Sequence, residues 1–230
     1  MSAAQAEAQA EALALALRRV LPDGLAIGWA DPRLADPRLA DLGQAAPVWP
    51  GEAIAAVPKR RTEFAAGRMA ARAAMAELGL DAAAIPMAAD RAPVWPDGVT
   101  GSISHSASAC LAIVGRSADW RGIGLDIEPA TPLPQDLWPA VLAQDERAAL
   151  GENPGLRAKL IFTAKEAAYK AQYPQSRALF GFETLRIRLG PADFTATFTA
   201  AVPPFAMGQR LQGLHLAAAG HLASLVLMAA

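Results

Sequence analysis

The sequence predicts an α+β fold made of two similar halves, each a helix followed by a small antiparallel meander, related by a pseudo-twofold within one chain. Three observations carry this expectation. A long helical pattern followed by short β-like segments occurs twice, at 61–128 and again at 157–228. The length of 230 residues is long for one domain and short for two, which suits fused halves. A composition 53% hydrophobic and 19% charged builds cores rather than disordered tails. The halves are assigned to residues 1–118 and 119–230.

Each element has a local reason. The opening segment, with Glu7 and Glu11 ahead of Arg18 and Arg19, reverses the charge order of a signal peptide and reads as an amphipathic helix of a cytoplasmic protein. Pro22-Asp23-Gly24 makes a turn into a short strand at 25–29. A direct duplication of Asp-Pro-Arg-Leu-Ala, at 31–35 and 36–40, is too short for a solenoid unit and reads as loop decoration. Residues 61–78 are helical, entered after Pro58 and ended by Gly79. Phe64, Ala71, Met75 and Leu78 share one side of that helix, and Arg61, Arg68 and Arg72 form a stripe beside it. After a proline-rich connector, strands at 101–106, 109–115 and 122–128 are expected to form one small sheet against this helix. A loop carrying Pro129, Pro132, Pro134 and Pro139 leads through a short helix at 144–150 to a second long helix at 157–173, stopped by Pro174. Its Leu160, Ala164, Ala167 and Ala171 let it lie close on a sheet formed by strands at 182–189, 194–198, 210–218 and 222–228.

Composition excludes several functions. Twenty-one basic and 22 acidic residues leave a net charge of −1, a poor balance for general nucleic-acid binding. One cysteine, Cys110, permits no intrachain disulfide or multi-cysteine zinc site and fits a reducing compartment. No apolar run approaches the roughly 20 residues of a membrane helix. Gly122-x-Gly124 lacks the third glycine and following helix of a dinucleotide fingerprint, so NAD is set aside. Ser104 and His105 are adjacent on a strand, face opposite ways and accompany no nucleophile elbow, so a Ser-His hydrolase is set aside too.

The remaining polar residues suggest anion and metal chemistry. Asp126 and Glu128 lie two apart on a strand, so both carboxylates project from one face and are either an exposed acidic pair or ligands for a hard cation, with the apolar frame arguing against an ordinary surface strand. Glu166 is either one end of an i,i+4 ion pair with Lys170 or a third carboxylate for the same metal, with Lys165 and Lys170 on phosphate. The arginine stripe is either a solvated helix edge or a polyanion site. His105 is either a structural histidine or a donor to a ligand phosphate.

Gly-Ser-Ile-Ser-His-Ser at 101–106, Gly-Ile-Gly-Leu-Asp-Ile-Glu-Pro at 122–129 and Phe-Thr-Ala-Lys-Glu-Ala-Ala-Tyr-Lys-Ala at 162–171 together closely resemble the 4'-phosphopantetheinyl transferases. Phe162 before the Lys-Glu pair, Tyr173-Pro174, Glu63-Phe-Ala-Ala-Gly-Arg68 and Pro93-Val-Trp-Pro96 resemble the enterobactin-synthase component D subgroup. The resemblance covers 48–190, with Leu125 standing where isoleucine is commoner.

The resemblance implies transfer of 4'-phosphopantetheine from coenzyme A to a serine of an apo acyl, peptidyl or aryl carrier protein, by a monomer with coenzyme A between its halves. It implies Mg²⁺ or Mn²⁺ on Asp126, Glu128 and Glu166, with Glu166 and Lys170 catalytic. Coenzyme A would be held by Arg61, Arg68, Arg72, Arg91, Ser104, His105 and Lys165, with His105, Arg91 and Arg72 at its 3'-phosphate. The rival expectations are a metal-dependent nucleotide or phosphodiester hydrolase, which would release its product to water, and a non-catalytic module that binds coenzyme A or a carrier protein.

Overall fold

The computed structural model describes residues 3–33, 49–52 and 54–230. The second copy of the Asp-Pro-Arg-Leu-Ala duplication lies outside the described residues. The chain divides into two compact units, Met1–Asp119 and Trp120–Ala230, each a sheet with a long helix on it, so the class is α+β.

In the first unit, α1 (Ala3–Arg18) leads to β1 (Leu25–Ala30), α2 (Pro58–Glu77), β2 (Val99–His105) and β3 (Cys110–Arg116). The strands form an antiparallel sheet in the order β1-β3-β2. Helix α2 begins with Pro58, whose missing N–H costs nothing in a first turn. It lies directly on β1, because a Cβ at Gly28 would come within 2.0 Å of the Ala70 carbonyl oxygen. Small residues make that approach possible, and Ala70, Ala71, Ala74, Met75, Ala112 and Val114 form the core. Helix α1 is pinned by Arg18, which pairs with Glu77 at the end of α2 and donates to the Ile27 carbonyl at 3.1 Å.

Cys110 belongs to this core and is fully buried. Burial pushes its thiol well above the ordinary range, and the nearby charges of Glu63 and Asp31 add to the effect. Because thiolate is the reactive form, the native protein is expected to leave Cys110 unmodified by a disulfide reagent until denaturant is added, as read by released thiolate absorbance. Rapid labelling of folded protein would contradict this.

The second unit starts with β4 (Trp120–Pro129), followed by α3 (Trp138–Val141), α4 (Gln144–Ala148) and α5 (Pro154–Ser176). Strands β5 (Leu185–Leu189), β6 (Asp193–Phe198), β7 (Arg210–Ala218) and β8 (His221–Ala229) complete it. The sheet order is β4-β8-β7-β6-β5, antiparallel throughout. Three sequence expectations are corrected here. The strand at 122–128 does not extend the first sheet: it pairs with β8, and β1 takes its place beside β3. Pro174 does not stop α5, since a proline in the last turn forfeits only one hydrogen bond and the helix runs on to Ser176, followed by Arg177 in the left-handed region with φ 53°. Residues 182–184 form a short 3₁₀ turn before β5, where the Phe182 carbonyl accepts from a buried lysine.

Candidate active site

The alternation of β4 decides which side chains meet α5. A Cβ on Gly124 would lie 1.8 Å from the Ala167 carbonyl oxygen, and one on Gly122 would lie 2.2 Å from that of Ala171. Even-numbered residues therefore face the helix, and Asp126 and Glu128 continue that face just beyond the glycines. Ile123, Leu125 and Ile127 point the other way and are buried. The glycine pair that failed as a nucleotide fingerprint has a packing purpose: it lets α5 settle low enough for its polar side chains to reach the strand.

Those side chains are Glu166 and Lys170, one helical turn apart. Lys170 Nζ donates to Asp126 Oδ1 at 2.8 Å and to the Leu125 carbonyl at 3.0 Å, so it bridges helix and strand rather than lying on a solvated face. Lys159, about two turns before Glu166, donates to Glu128 Oε2 at 3.1 Å. Asp126 is 6% exposed. Desolvation raises the Glu166 carboxyl above its ordinary range; Lys170 pulls it down, while the charges of Asp126 and Glu128 push it further up. The three acids thus act on one another through a partly dry space.

Such a trio is a hard oxygen donor set suited to Mg²⁺ or Mn²⁺, and a divalent cation would relieve its repulsion. Among the described residues, no three histidine, cysteine, aspartate or glutamate groups already converge as closely as the ligands of a bound metal do. Lys170 and Lys159 sit on two of the acids instead.

Lys165, expected on phosphate, is placed elsewhere. Its ammonium is 1% exposed and donates to Glu146 Oε2 at 2.8 Å, to the Val141 carbonyl at 2.8 Å and to the Phe182 carbonyl at 3.0 Å. Glu146 also accepts from the backbone N–H groups of Ala143 and Ile187. One buried pair therefore ties α5 to α4, to the 3₁₀ turn and to β5, and all three ammonium protons are engaged.

The arginines of the α2 stripe have different surroundings. Arg68 is buried, donates to the Ile85 carbonyl at 2.8 Å and lies over the Phe64 ring at 3.8 Å; burial pushes its guanidinium down to about 10. Arg72 pairs at 2.7 Å with Glu52, itself 1% exposed, and lies over Trp49. Arg61 and Arg91 are exposed, the latter at a positive φ of 70°. Ser104 is buried within β2.

His105 instead ends β2 beside the first turn of α2, where its Nε2 contacts Arg60 and its Nδ1 lies 3.8 Å from Glu63. Lys59 and Arg60 both flank Glu63, at 3.9 and 3.6 Å. Lys59, Thr62 and Glu63 also line an opening of about 280 Å³ with Pro32, Arg33, Pro58 and Ala107.

Two family models match this chain in succession: the 4'-phosphopantetheinyl transferase N-terminal domain over 51–115, and the 4'-phosphopantetheinyl transferase superfamily over 122–210. Among similar proteins, 4'-phosphopantetheinyl transferase Svp of Streptomyces mobaraensis is 39% identical over 167 residues, 69% of this chain and 67% of its own. The chain belongs to the 4'-phosphopantetheinyl transferase superfamily. 4'-Phosphopantetheinyl transferase PptT of Mycobacterium tuberculosis is 36% identical over 66% of each chain. Enterobactin synthase component D of Salmonella typhi is 39% identical over 56% of this chain and 55% of its own. The alignments with Svp and PptT thus span about two thirds of those relatives, and that with component D about half.

Within this phosphopantetheinyl transferase, the stretch matching the superfamily contains Asp126, Glu128, Glu166 and Lys170, and the stretch matching the N-terminal domain contains α2 and His105. Sequence reasoning gave no role to Lys59, Arg60 or Glu63, although Glu63 opens the motif that ends at Arg68, because the helical angle that selected Arg61, Arg68 and Arg72 identifies a stripe but not the strand end beside it. The available signal was position, since residues in a first helical turn are free to reach past the helix end. Lys159 and Glu146 were also missed, and only the long-range fold reveals their partners.

Proposed function

We propose that this transferase moves the 4'-phosphopantetheinyl group of coenzyme A onto a serine of an apo carrier protein, releasing adenosine 3',5'-bisphosphate. The reading is supported by family membership and, above all, by one observation: Asp126, Glu128, Glu166 and Lys170 gather where α5 touches β4. In the reaction the serine Oγ attacks the phosphorus that bears the pantetheine arm. The bond from that phosphorus to the bridging oxygen breaks, the adenosine 5'-phosphate leaves with that oxygen, and the serine proton passes to a base.

Asp126, Glu128 and Glu166 would hold Mg²⁺ or Mn²⁺, which supplies neutralisation of the pyrophosphate as charge moves to the leaving oxygen. Glu166, with its raised carboxyl, suits the role of base. Lys170 places a positive charge at the same face and stabilises the leaving phosphate. In the first unit, Arg60 and His105 take the 3'-phosphate, where donors capable of charge are most effective. Arg68, Arg72 and Lys165 are assigned to holding the fold. The enzyme is expected to act as a monomer, and its single cysteine, which is buried, suits a reducing cytoplasm. Among the described residues no helix is long and apolar enough to cross a membrane.

The deciding experiment is mass spectrometry of an apo carrier protein incubated with this chain, coenzyme A and Mg²⁺. A covalent gain of one phosphopantetheine on the serine is the expected result. Cleavage of coenzyme A with the carrier unmodified would favour a hydrolase, and undiminished transfer after removal of divalent cations with EDTA would overturn the metal assignment.

A further inference from the structure

Glu63, His105 and Arg60 form a short relay where the first turn of α2 meets the end of β2. A guanidinium has donors only, so the Arg60–His105 contact is a hydrogen bond in the neutral tautomer whose Nε2 accepts. That tautomer carries its N–H on Nδ1, which lies 3.8 Å from Glu63. The Glu63 side chain is 11% exposed, against 34% for His105 and 45% for Arg60. The carboxylate is thus walled in behind two nitrogen groups that face outward. This order of carboxylate, imidazole and open side is the one in which an acid fixes a histidine's tautomer and stabilises its protonated form.

Resting on the proposal that Arg60 and His105 receive the 3'-phosphate of coenzyme A, we infer that Glu63 is a positioning residue that couples capture of this phosphate to uptake of one proton. The phosphate replaces His105 as the acceptor for the Arg60 N–H. The vacated Nε2 then takes a proton from water and donates it in a hydrogen bond to a phosphate oxygen. Nδ1 stays on the Glu63 side, 3.8 Å from the carboxylate, whose charge offsets that of the imidazolium. One proton leaves the solvent and forms the Nε2–H bond, and no other covalent bond changes.

The charges around the ring agree with this role. From α2, Lys59 lies 3.9 Å from Glu63, and after β1 Arg33 lines the same opening, paired with Asp31. Lys59 and Arg33 are cations that oppose an imidazolium, and the charge of Asp31 is directed at Arg33. Across the β2–β3 pair, His105 stands opposite Cys110, a thiol that burial keeps neutral. Among the described residues, Glu63 is an acid that lies beside the imidazole, 3.8 Å from its Nδ1.

The test is calorimetry of the full chain with coenzyme A and with dephospho-coenzyme A, in two buffers of different ionisation heat. It is run at about pH 8, above the ordinary titration of imidazole near 6.5 and of a phosphate monoester near 6. Wild type is expected to take up protons on binding coenzyme A and none on binding dephospho-coenzyme A. Glu63→Gln, checked for folding by circular dichroism, is expected to lose the uptake and about tenfold of the preference for coenzyme A. If wild type prefers coenzyme A but takes up no proton, the coupling is overturned and the phosphate assignment stands. Unchanged uptake in Glu63→Gln overturns the role of Glu63. Equal binding of the two ligands overturns the phosphate assignment itself, and the wild-type measurements decide the coupling even if the variant does not fold.

Discussion

Glu166→Gln is expected to lower single-turnover transfer by about 10²-fold or more while raising the melting temperature of the metal-free protein. Glutamine keeps the shape and one carbonyl oxygen but loses both the charge that would bind a cation and the basicity that would accept the serine proton. The stability effect follows from the raised carboxyl of Glu166, caused first by desolvation and then sharpened by Asp126 and Glu128. A carboxyl that is raised on folding binds more protons in the native chain than in the unfolded one. Stability is therefore greatest below the ordinary carboxylate range and falls as pH climbs through the raised value. Glutamine removes that loss, so the gap in melting temperature between variant and wild type should widen as pH rises, in melts run with EDTA. Added Mg²⁺ should then stabilise wild type more than the variant, because a ligand stabilises only what binds it. A folded variant with near wild-type turnover would return Glu166 to a surface role and leave Asp126 and Glu128 as the supported carboxylates.

Gly124→Ala, a single added methyl, is expected to cost about 3 kcal/mol or more. The new carbon would lie 1.8 Å from the Ala167 carbonyl oxygen and 2.7 Å from the Ala171 nitrogen. Both are backbone atoms of α5, so no side chain can swing aside and the helix itself must lift. Lifting it lengthens the 2.8 Å Lys170–Asp126 contact and carries Glu166 away from the strand. Urea unfolding should show the lost stability, and the variant that still folds should transfer more slowly than its folded fraction accounts for. Wild-type stability in this variant would mean that α5 does not rest on β4 as described.

What could be read in the sequence was what repeats at short range. Asp126 and Glu128 share a face because strand side chains alternate, and Glu166 and Lys170 share one because a helix returns after four residues. Both pairs lie where those periods put them. The ion pairs that engage the other candidate cations span longer distances along the chain. Lys165 finds Glu146 nineteen residues back, and Arg72 finds Glu52 twenty residues back. No local pattern marks such partners, so the sequence reading left both cations for phosphate. The same reason explains the misplaced strand. Neighbouring segments usually pair, which favoured joining 122–128 to the strand before it, yet its partner β8 comes from the end of the chain. His105 was legible as unusual, while its companions Arg60 and Glu63 were hidden by a stripe that looked more regular than they did.

The Lys165–Glu146 pair has a further consequence for how activity arises. Consecutive residues of α5 have opposite duties: Lys165 closes the fold through three buried bonds, and Glu166 turns toward the acids of β4. Burying an ammonium without its acid is costly, so a chain that has not seated Lys165 cannot hold this helix in place. Assembly of the second unit and arming of its chemistry are thereby one event.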